Sequence, residues 1–596
     1  MGSTVTIYQE TRTQLVEQMP TRGYQSSVDP RLHVGLGTQP VDSLTVTWPD
    51  GRTETRTEVE ADRMMTLRQS DATGAPSPPE PQSTPSFSVA TADTLGIDAR
   101  HEENLSYNDF QREPLMPHKL SREGPALAVG DVTGNGVDDV YLGGAKRQPG
   151  ALYVQQSDGA FRRATASDSL WTADKLHEDV DAAFVDANGD GAQDLYVVSA
   201  GNEFWGDAEA LRDRLYLNDG DGAFRRAEGA LPDDMTANGA VVAPSDFDED
   251  GDADLFVGSR VVARHCGKTP TSYLLENNGT GRFTDVTDTA APRLRDVGLV
   301  TDAAWADVRG SDAPELIVVG EWMPLTVFER EQDRLVDRTA EAGLANTNGW
   351  WRSVHAADLD ADGTTDLIAG NLGLNSRLQA TPDEPARLYL NDFDENGQPD
   401  PILTYFRNGT SYPHAGRDAL LQQIPSLKEQ FPTYESFGDS QVEDIFSAST
   451  LRDATVRTAR TFASVYAENQ GDGTFAVDSL PSRAQMAPVY GILSHDLYGD
   501  GTQDVLMGGN FHGVKPKQGR YDASYGTLLR RRGSNHWTSV PPPESNLYLQ
   551  GEVRALRVLR RPQGAHAILV ARNDARPQVV VPPAARDSGT PTAGRE

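Results

Sequence analysis

The sequence has 596 residues, with 88 acidic and 54 basic side chains and a formal net charge of −34. A nucleic-acid-binding protein needs a basic surface, so this balance argues against that class. The single cysteine, Cys266, excludes a disulfide framework; beside His265 it is either half of a metal site or a simple loop pair. The sequence contains no run of about 18 apolar residues that would predict a transmembrane helix, and the first residues lack the basic and apolar regions of a secretory signal.

The first segment, residues 1–69, is predicted to be a small β-rich domain. The runs 4–8, 32–37, 43–48 and 63–69 are typical of strands, and Pro49–Asp50–Gly51 is typical of a turn. Residues 70–99 are rich in proline and serine and are predicted to be a linker.

From residue 100 to residue 585 the sequence repeats itself. Each copy has a short apolar run, an Asp-rich loop, a second apolar run, a Gly-rich loop and often a segment of the form LYLNxxDGxF. Five Asp-rich loops follow each other at intervals of 51 to 61 residues, a sixth comes after a long insertion, and 555–573 is a degraded copy; the six loops begin at Asp131, Asp186, Asp246, Asp307, Asp358 and Asp496. This period is typical of propeller blades. We therefore expect an all-β, seven-bladed β-propeller, or eight blades if the insertion around 401–450 contains one, followed by a disordered tail at 586–596.

Five of these loops, all except the one that begins at Asp307, and a further loop that begins at Asp392 share the pattern D-x-[D/N]-x-[D/N]-G-x-x-D. Two of the six have a different residue at position 3. The candidate metal ligands are at positions 1, 3, 5, 7 and 9, where position 7 offers its backbone carbonyl. They are Asp131, Thr133, Asn135, Val137 and Asp139; Asp186, Asn188, Asp190, Ala192 and Asp194; Asp246, Asp248, Asp250, Asp252 and Asp254; Asp358, Asp360, Asp362, Thr364 and Asp366; Asp392, Asp394, Asn396, Gln398 and Asp400; and Asp496, Tyr498, Asp500, Thr502 and Asp504.

This spacing predicts calcium sites. Ca²⁺ takes about six to eight oxygen ligands, and the glycine at position 6 permits the left-handed backbone that a sharp turn needs. Ordinary Asp-Gly turns are the alternative, but six copies with one spacing favour calcium. EF-hands are excluded because position 12 is apolar and strands follow the loops. We expect each loop instead to join two strands of one blade. We expect no calcium in the loop 307–315, where Arg309 and Ser311 replace ligands, and weaker binding in the loops with Thr133 and Tyr498.

A ligand face is predicted opposite these loops, because the second strand of each blade runs away from its loop. The segments that follow carry basic and aromatic side chains that are typical of a binding surface in so acidic a chain. They are Lys146, Arg147, Trp205, Arg260, Arg264, Trp322, Arg377, His512, Lys515, Lys517, Arg520, Tyr521, Arg572 and Arg576. Asparagines recur at equivalent positions, and they either bind the ligand or cap turns; they are Asn202, Asn371, Asn510 and Asn573.

The insertion is the most helical stretch, with Leu420, Leu421, Ile424 and Leu427 at helical spacing. It either packs on the propeller or forms a lid beside the ligand face. No motif of a serine hydrolase, a P-loop nucleotide-binding protein or a zinc protease is present. An enzyme is therefore not expected, although a calcium-dependent polysaccharide lyase with His512 or Lys515 as base is an alternative.

The loops and repeats resemble the FG-GAP/VCBS repeats of integrin-α-like propellers. The segments 22–37 and 41–52, with HVGLG and WPDG, resemble the ASPIC/UnbV domain. Together they are similar to the cartilage acidic protein family and its bacterial relatives, in which this domain usually follows a propeller rather than preceding one. The resemblance implies an extracellular, cell-surface or periplasmic calcium-binding protein in cell adhesion or ligand binding.

Three hypotheses follow. The first is a binding module that holds a glycan or protein on the face opposite the loops. The second is a structural subunit of an envelope assembly, and the third is the polysaccharide lyase.

Overall fold

The structure is a computed structural model. It describes residues 2–9, 12–21, 26–37, 39–74, 87–206, 208–235, 238–311, 313–531 and 537–583. The chain divides into two compact units, Met1–Thr84 and Pro85–Glu596. The predicted tail at 586–596 and residues 75–86 of the predicted linker lie outside the described residues.

The first unit is an antiparallel four-stranded sheet. Its strands, in spatial order, are Arg12–Glu17, Thr4–Gln9, Val41–Thr47 and Thr53–Val59. The predicted turn at 49–51 is present, with the Gly51 amide donating to the Trp48 carbonyl at 2.8 Å. The strands predicted at 32–37 and 63–69 are wrong: these runs cover the sheet core with Leu32, Val34, Leu36 and Leu67 but pair with no strand. The apolar alternation of these runs therefore reflects packing against the sheet and not hydrogen bonding to its strands.

The second unit contains seven four-stranded antiparallel sheets whose innermost strands contact one another in a closed ring. We number these sheets as blades 1 to 7. From inner to outer strand, they are Leu127–Gly130, Asp139–Leu142, Ala151–Gln155 and Phe161–Arg163 in blade 1; Glu178–Val185, Asp194–Ala200, Arg214–Asn218 and Phe224–Arg226 in blade 2; Gly239–Ser245, Asp254–Ser259, Tyr273–Asn277 and Phe283–Asp285 in blade 3; Leu299–Ala306, Glu315–Met323, Thr326–Glu331 and Arg334–Asp337 in blade 4; Ser353–Ala357, Asp366–Gly370, Val465–Asn469 and Phe475–Ser479 in blade 5; Val489–His495, Asp504–Gly509, Thr527–Arg531 and Trp537–Val540 in blade 6; and Glu552–Arg560, His566–Asn573, Gln578–Val581 and Ser88–Thr91 in blade 7. The short strand Gly349–Trp350 pairs with the second strand of blade 4.

Hydrophobic clusters lie between each pair of neighbouring blades, including blades 7 and 1. Successive side chains of a strand point to opposite faces, so Leu195 packs towards blade 1 and Tyr196 towards blade 3. Both faces of each second strand are therefore buried. This explains why these strands are continuously apolar, as in DLYVV and DLFVG, instead of alternating with polar residues.

The ring is closed by a strand from the beginning of the second unit. Ser88–Thr91 pairs antiparallel with Gln578–Val581 and forms the outer strand of blade 7. Residues 88–91 were predicted to belong to the linker, and this assignment is wrong: Phe87 and Val89 pack in the core between blades 6 and 7. The sequence does not indicate this strand, because four residues beside a Pro/Ser-rich segment show no clear periodicity.

The insertion lies between the second and third strands of blade 5 and forms a separate four-stranded sheet. Its spatial order is Thr410–Pro413, Asp400–Arg407, Ala386–Asn391 and Thr455–Ala459. The five helices of the insertion are Arg417–Gln423, Leu427–Gln430, Tyr434–Phe437, Val442–Ile445 and Ala448–Asp453. Leu420, Ile424 and Leu427 are buried among them, as the helical spacing predicts.

The remaining described helices are short connections. They are the α-helices Asp109–Arg112, Asp168–Ala173, Thr287–Ala290 and Pro542–Ser545, and the 3-10 helices Gln69–Asp71, Ala92–Leu95, Glu209–Leu211, Ser482–Gln485 and Pro562–Gly564. None of the helices in the described part of the chain has the length and apolar character needed to cross a lipid bilayer.

Candidate functional site

The six predicted calcium loops share one backbone framework. In each, the amide of the position-6 glycine donates to the position-1 carboxylate, and the amide at position 2 donates to the position-9 carboxylate. The six glycines have φ between +83° and +97°, which an L side chain adopts only with strain. The glycine therefore has the role that the sequence predicted for it.

Three of the loops bring three carboxylates together. One oxygen of each carboxylate lies within 4.8 Å of the others in the sets Asp246, Asp248 and Asp250; Asp358, Asp360 and Asp366; and Asp392, Asp394 and Asp400. In these three loops the position-4 residue, Glu249, Ala361 or Glu395, also has a positive φ although it is not glycine. Strained backbone of this kind is common at ligand sites.

The donor set of these loops fits a hard cation. The Oδ1 atoms of Asp358 and Asp394 are buried without a hydrogen-bond partner, which is costly for a carboxylate unless something else neutralises it. Burial, assisted by the neighbouring Asp248 and Asp250, raises the pKa of Asp254 to about 7. A divalent cation would favour the charged form of these carboxyls, and carboxylate oxygens are the ligands that Ca²⁺ prefers.

The position-9 aspartates serve mainly to hold the loops. Asp194 accepts from the Ala187 amide at 3.0 Å and from the Asn218 amide of the third strand at 2.7 Å. Asp254 does the same with Phe247 and Asn277. Asp366 and Asp400 belong to close carboxylate sets, whereas Asp254 does not. The distance of the position-9 carboxylate from the other carboxylates therefore differs from loop to loop.

The loop 392–400 lies in the insertion sheet, between Ala386–Asn391 and Asp400–Arg407. The sequence predicted that all loops join two strands of one blade, and for this loop the prediction is wrong. Gln423 of the insertion helices donates to Asp400 at 2.7 Å. In the loop 307–315, for which we predicted no calcium, Ser311 donates to Glu315 at 3.2 Å and Arg309 lies 3.3 Å from Glu329.

The opposite face is covered by a segment that sequence reasoning missed. We call residues 97–124 the cover segment. Its residues contact the connections that follow the second strands: Asn202 donates to Glu113 at 3.0 Å, the Cys266 amide donates to Glu113 at 3.0 Å, and the Lys119 amide donates to the Gly513 carbonyl at 2.7 Å. No motif marks this segment, because its polar groups find partners in six different blades or the connections that follow their second strands.

Beneath the cover segment, buried charges line one end of the central channel. Arg260 donates to Glu321 at 2.7 Å, and Arg352 donates to the same carboxylate at 2.5 Å. Although burial acts in the other direction, these guanidinium groups hold the pKa of Glu321 well below its usual range. The channel encloses a cavity of about 250 Å³ that is also lined by Asp181, Asp302 and His355.

Several predicted ligand residues are therefore structural. Arg260, Arg264, Trp322, Asn371 and Asn510 are at most 9% exposed, so their assignment to an open ligand surface is wrong. The cover segment packs on Arg260 through His118, and the insertion packs on Trp322 through Leu388 and Leu403. Asn371 accepts from the Trp350 and Leu372 amides. Asn510 donates to the Ser524 and Gly551 carbonyls. Both asparagines therefore hold turns, which was the alternative to ligand binding. Asn202 and Asn573 are buried as well.

Other predicted ligand residues remain at the surface. Arg147, Trp205, Arg377, Lys517 and Arg520 are exposed, whereas Lys146, His512, Lys515, Tyr521 and Arg572 are half-buried. His512 lies 3.4 Å from Glu552. Lys515 donates to the Pro114 carbonyl of the cover segment, and burial together with Lys517 lowers its pKa to about 8. Its ammonium group is thus held by the cover segment.

Trp205 is the most exposed of these aromatic side chains, at 61%. The Arg264 guanidinium stacks on its ring at 3.8 Å from the centroid. Arg264 is itself fixed, because its backbone amide donates to Asn202 at 2.7 Å and its Nη2 donates to the Glu203 carbonyl at 2.8 Å. Nearby, the Lys146 ammonium lies 4.1 Å from the Phe204 ring. Trp205, Arg264, Lys146 and Phe204 form what we call the Trp205 platform.

Two family models match parts of the chain. Residues 1–74 match the family ASPIC and UnbV, and residues 186–257 match the FG-GAP-like repeat. The comparison with curated proteins gave no match.

Solved structures with a similar fold include the biofilm matrix protein Bap1 of V. cholerae, with 10% identity, a TM-score of 0.34, and coverage of 84% of this chain and 91% of that one. The Dos1 propeller has 10% identity and a TM-score of 0.32, covering 78% and 95%. The exotype rhamnogalacturonan lyase YesX has 11% identity and a TM-score of 0.35, covering 98% and 86%. Similarity at this level does not extend to activity. The chain thus combines an ASPIC/UnbV segment with a β-propeller that contains FG-GAP-like repeats.

Proposed function

We propose that this protein is a calcium-binding β-propeller that acts as an adhesion or ligand-binding module outside the cytosol, and that its ligand is a glycan. Calcium would rigidify the loops on one face, and the Trp205 platform would bind the sugar on the other. The exposed and fixed Trp205 side chain is the observation that carries the ligand-binding part of this proposal.

The calcium part is supported by the three carboxylate sets around Asp248, Asp360 and Asp394. Extracellular calcium modules typically bind with dissociation constants of about 10⁻⁴ to 10⁻³ M, which suits the high calcium concentration outside cells. An acidic chain of net charge −34 gains stability when such ions neutralise part of its self-repulsion. A location at the cell surface or in the periplasm follows from this calcium requirement.

The ligand part is supported by the chemistry of the Trp205 platform. Trp205 is exposed and stacked with an arginine, and aromatic and arginine side chains are enriched in binding interfaces. The open face of the indole would stack on the apolar face of a sugar ring, Arg264 would support the ring from its other face, and the half-buried Lys146 offers a donor to hydroxyl or carboxylate oxygens. Since Arg264 is already held in place by Asn202 and Glu203, binding would cost little conformational entropy.

Binding to a glycan array in calcium, with an EDTA control, tests the proposal. Trp205→Ala is expected to weaken binding at least tenfold without changing the thermal unfolding temperature. Tyr434→Ala is a matched control, because Tyr434 is 68% exposed and has Arg417 at 5.1 Å from its ring, but lies on the insertion. An array without any calcium-dependent binding would contradict the glycan proposal and favour a protein partner. Equal losses in both variants would contradict the role of Trp205.

A further inference from the structure

In the loop 496–504 of blade 6, an arginine side chain lies against two of the carboxylates. Arg530, in the third strand of the same blade, donates from Nε to Asp504 Oδ1 at 2.8 Å and from Nη2 to Asp500 Oδ2. The guanidinium therefore bridges the carboxylates at positions 5 and 9. Position 5 belongs to the close carboxylate set of the blade 3 loop, and position 9 belongs to that of the blade 5 loop.

The side chain at position 3 of this loop supports the same arrangement. Position 3 is a carboxylate or amide in four of the six loops, but here it is Tyr498. The Arg530 guanidinium lies 4.2 Å from the centroid of the Tyr498 ring. The loop has thus exchanged an oxygen ligand for an aromatic ring, which attracts a guanidinium through its electron-rich face.

The strand register shows that the arginine is specific to blade 6. Leu529 pairs with Val505, the residue after position 9, so Arg530 is the next residue along the third strand. The residues at the equivalent position in blades 1, 2, 3 and 5 are Val154, Leu217, Glu276 and Glu468. None of these four carries a positive charge.

We infer that the Arg530 guanidinium is the built-in cation of the blade 6 loop and excludes a divalent metal ion from it. The inference rests on the proposed calcium binding by the other loops, and it replaces the weak calcium site that the sequence predicted at 496–504. A planar guanidinium satisfies two carboxylates through charge-assisted hydrogen bonds. A second cation would lose these carboxylate ligands and would meet like charge at close range.

One consequence concerns the ring as a whole. Two carboxylates of the blade 6 loop, Asp500 and Asp504, keep their contacts with Arg530 when calcium is removed, so this part of the propeller is expected to keep its structure in EDTA. Among the described residues, no guanidinium bridges positions 5 and 9 in the loops of blades 3 and 5, although Arg531 donates to the position-3 carboxylate of the blade 5 loop, Asp360, at 3.1 Å. Calcium removal should therefore loosen the ring unevenly, with 496–504 the least affected acidic loop.

The first test uses the wild-type chain. Hydrogen exchange of residues 496–504 is expected to change less than twofold when EDTA replaces calcium, whereas exchange at 246–254 and 358–366 is expected to rise at least tenfold. An equally large rise at 496–504 would overturn the inference. This measurement requires no variant and therefore does not depend on how a substitution folds.

The second test counts bound calcium ions in the full chain by native mass spectrometry. Arg530→Met is expected to bind one calcium ion more than the wild type, while Arg530→Lys, which keeps the charge, is expected to bind the same number. Arg293→Met is a matched control, since it removes an exposed guanidinium whose partner, Asp337, lies outside the acidic loops. Equal counts for Arg530→Met and wild type would overturn the inference. A wild type without any bound calcium would instead contradict the proposed function, and an ion gained by Arg530→Met would still support the role of Arg530.

Discussion

The Asn277 side chain joins two blades: its Nδ2 donates to the Ala187 carbonyl of the blade 2 loop at 2.9 Å and to the Ala253 carbonyl of its own loop at 3.1 Å. Asn218 and Asn469 make the same pair of contacts, to Val132 and Val308 of the preceding loops. The asparagine that ends the third strand of blades 2, 3 and 5 is therefore an inter-blade connection. It ties the loop of its own blade to the loop of the preceding blade.

Asn277→Asp should lower the free energy of unfolding by about 2–4 kcal/mol, because it removes a buried donor and leaves two carbonyls unpaired. Chemical denaturation with a calcium-saturated chain measures the change. Glu276→Gln, at the neighbouring half-buried position, is expected to change stability by less than about 0.5 kcal/mol. If the two variants were equally stable, the asparagine would not connect the blades energetically.

Calcium should raise the thermal unfolding temperature, and EDTA should reverse the effect, because a ligand that binds only the folded state stabilises it. Asp358→Asn keeps the size of the side chain but removes a charge from the set with Asp360 and Asp366, and should reduce the calcium-dependent gain. Asp307→Asn, in the loop predicted to lack calcium, should leave the gain unchanged. Differential scanning calorimetry in calcium and in EDTA distinguishes these outcomes; equal gains in all three proteins would argue against calcium at Asp358.

Asp302→Asn should make stability less dependent on pH. Burial raises the pKa of Asp302 from 3.8 to about 7. Between about pH 4 and pH 7 the folded chain therefore holds more protons at this group than the unfolded chain, and the free energy of unfolding falls as the pH rises. Urea unfolding at pH 5 and pH 7.5 should show a smaller difference for Asp302→Asn than for wild type. Asp158→Asn, at an exposed turn, should match wild type; an unchanged difference in Asp302→Asn would refute the assignment.

A fragment that begins at Pro85 should form a stable propeller, whereas one that begins at His101 should not. The shorter fragment lacks Ser88–Thr91, so the strand Gln578–Val581 loses its partner and Phe87 leaves the core between blades 6 and 7. Circular dichroism melting of both fragments in calcium measures the difference. A shorter fragment that melted at the same temperature would show that the closing strand adds nothing to stability.

Local sequence was sufficient to predict the repeat and the loops. The glycine at position 6 has the predicted left-handed conformation because the requirement lies within nine residues and repeats in every copy. The continuously apolar second strands likewise predict elements that are buried on both faces. The helical spacing of Leu420, Ile424 and Leu427 predicts the buried face of the insertion helices for the same reason.

Contacts between distant residues were decided by the tertiary structure. Arg560 meets Asp138 across 422 residues, at the junction of blades 7 and 1, and Asn573 meets Glu103 across 470 residues under the cover segment. A basic or polar side chain has the same appearance in a sequence whether it faces solvent or a buried carboxylate, so Arg260 and Arg530 could not be distinguished from surface residues such as Arg147. The sequence by itself determined the blades and their acidic loops, because those depend on local spacing. The ring decided which charges are paired internally and which remain open to a ligand, because only its closure brings residues such as 88–91 and 578–581 together.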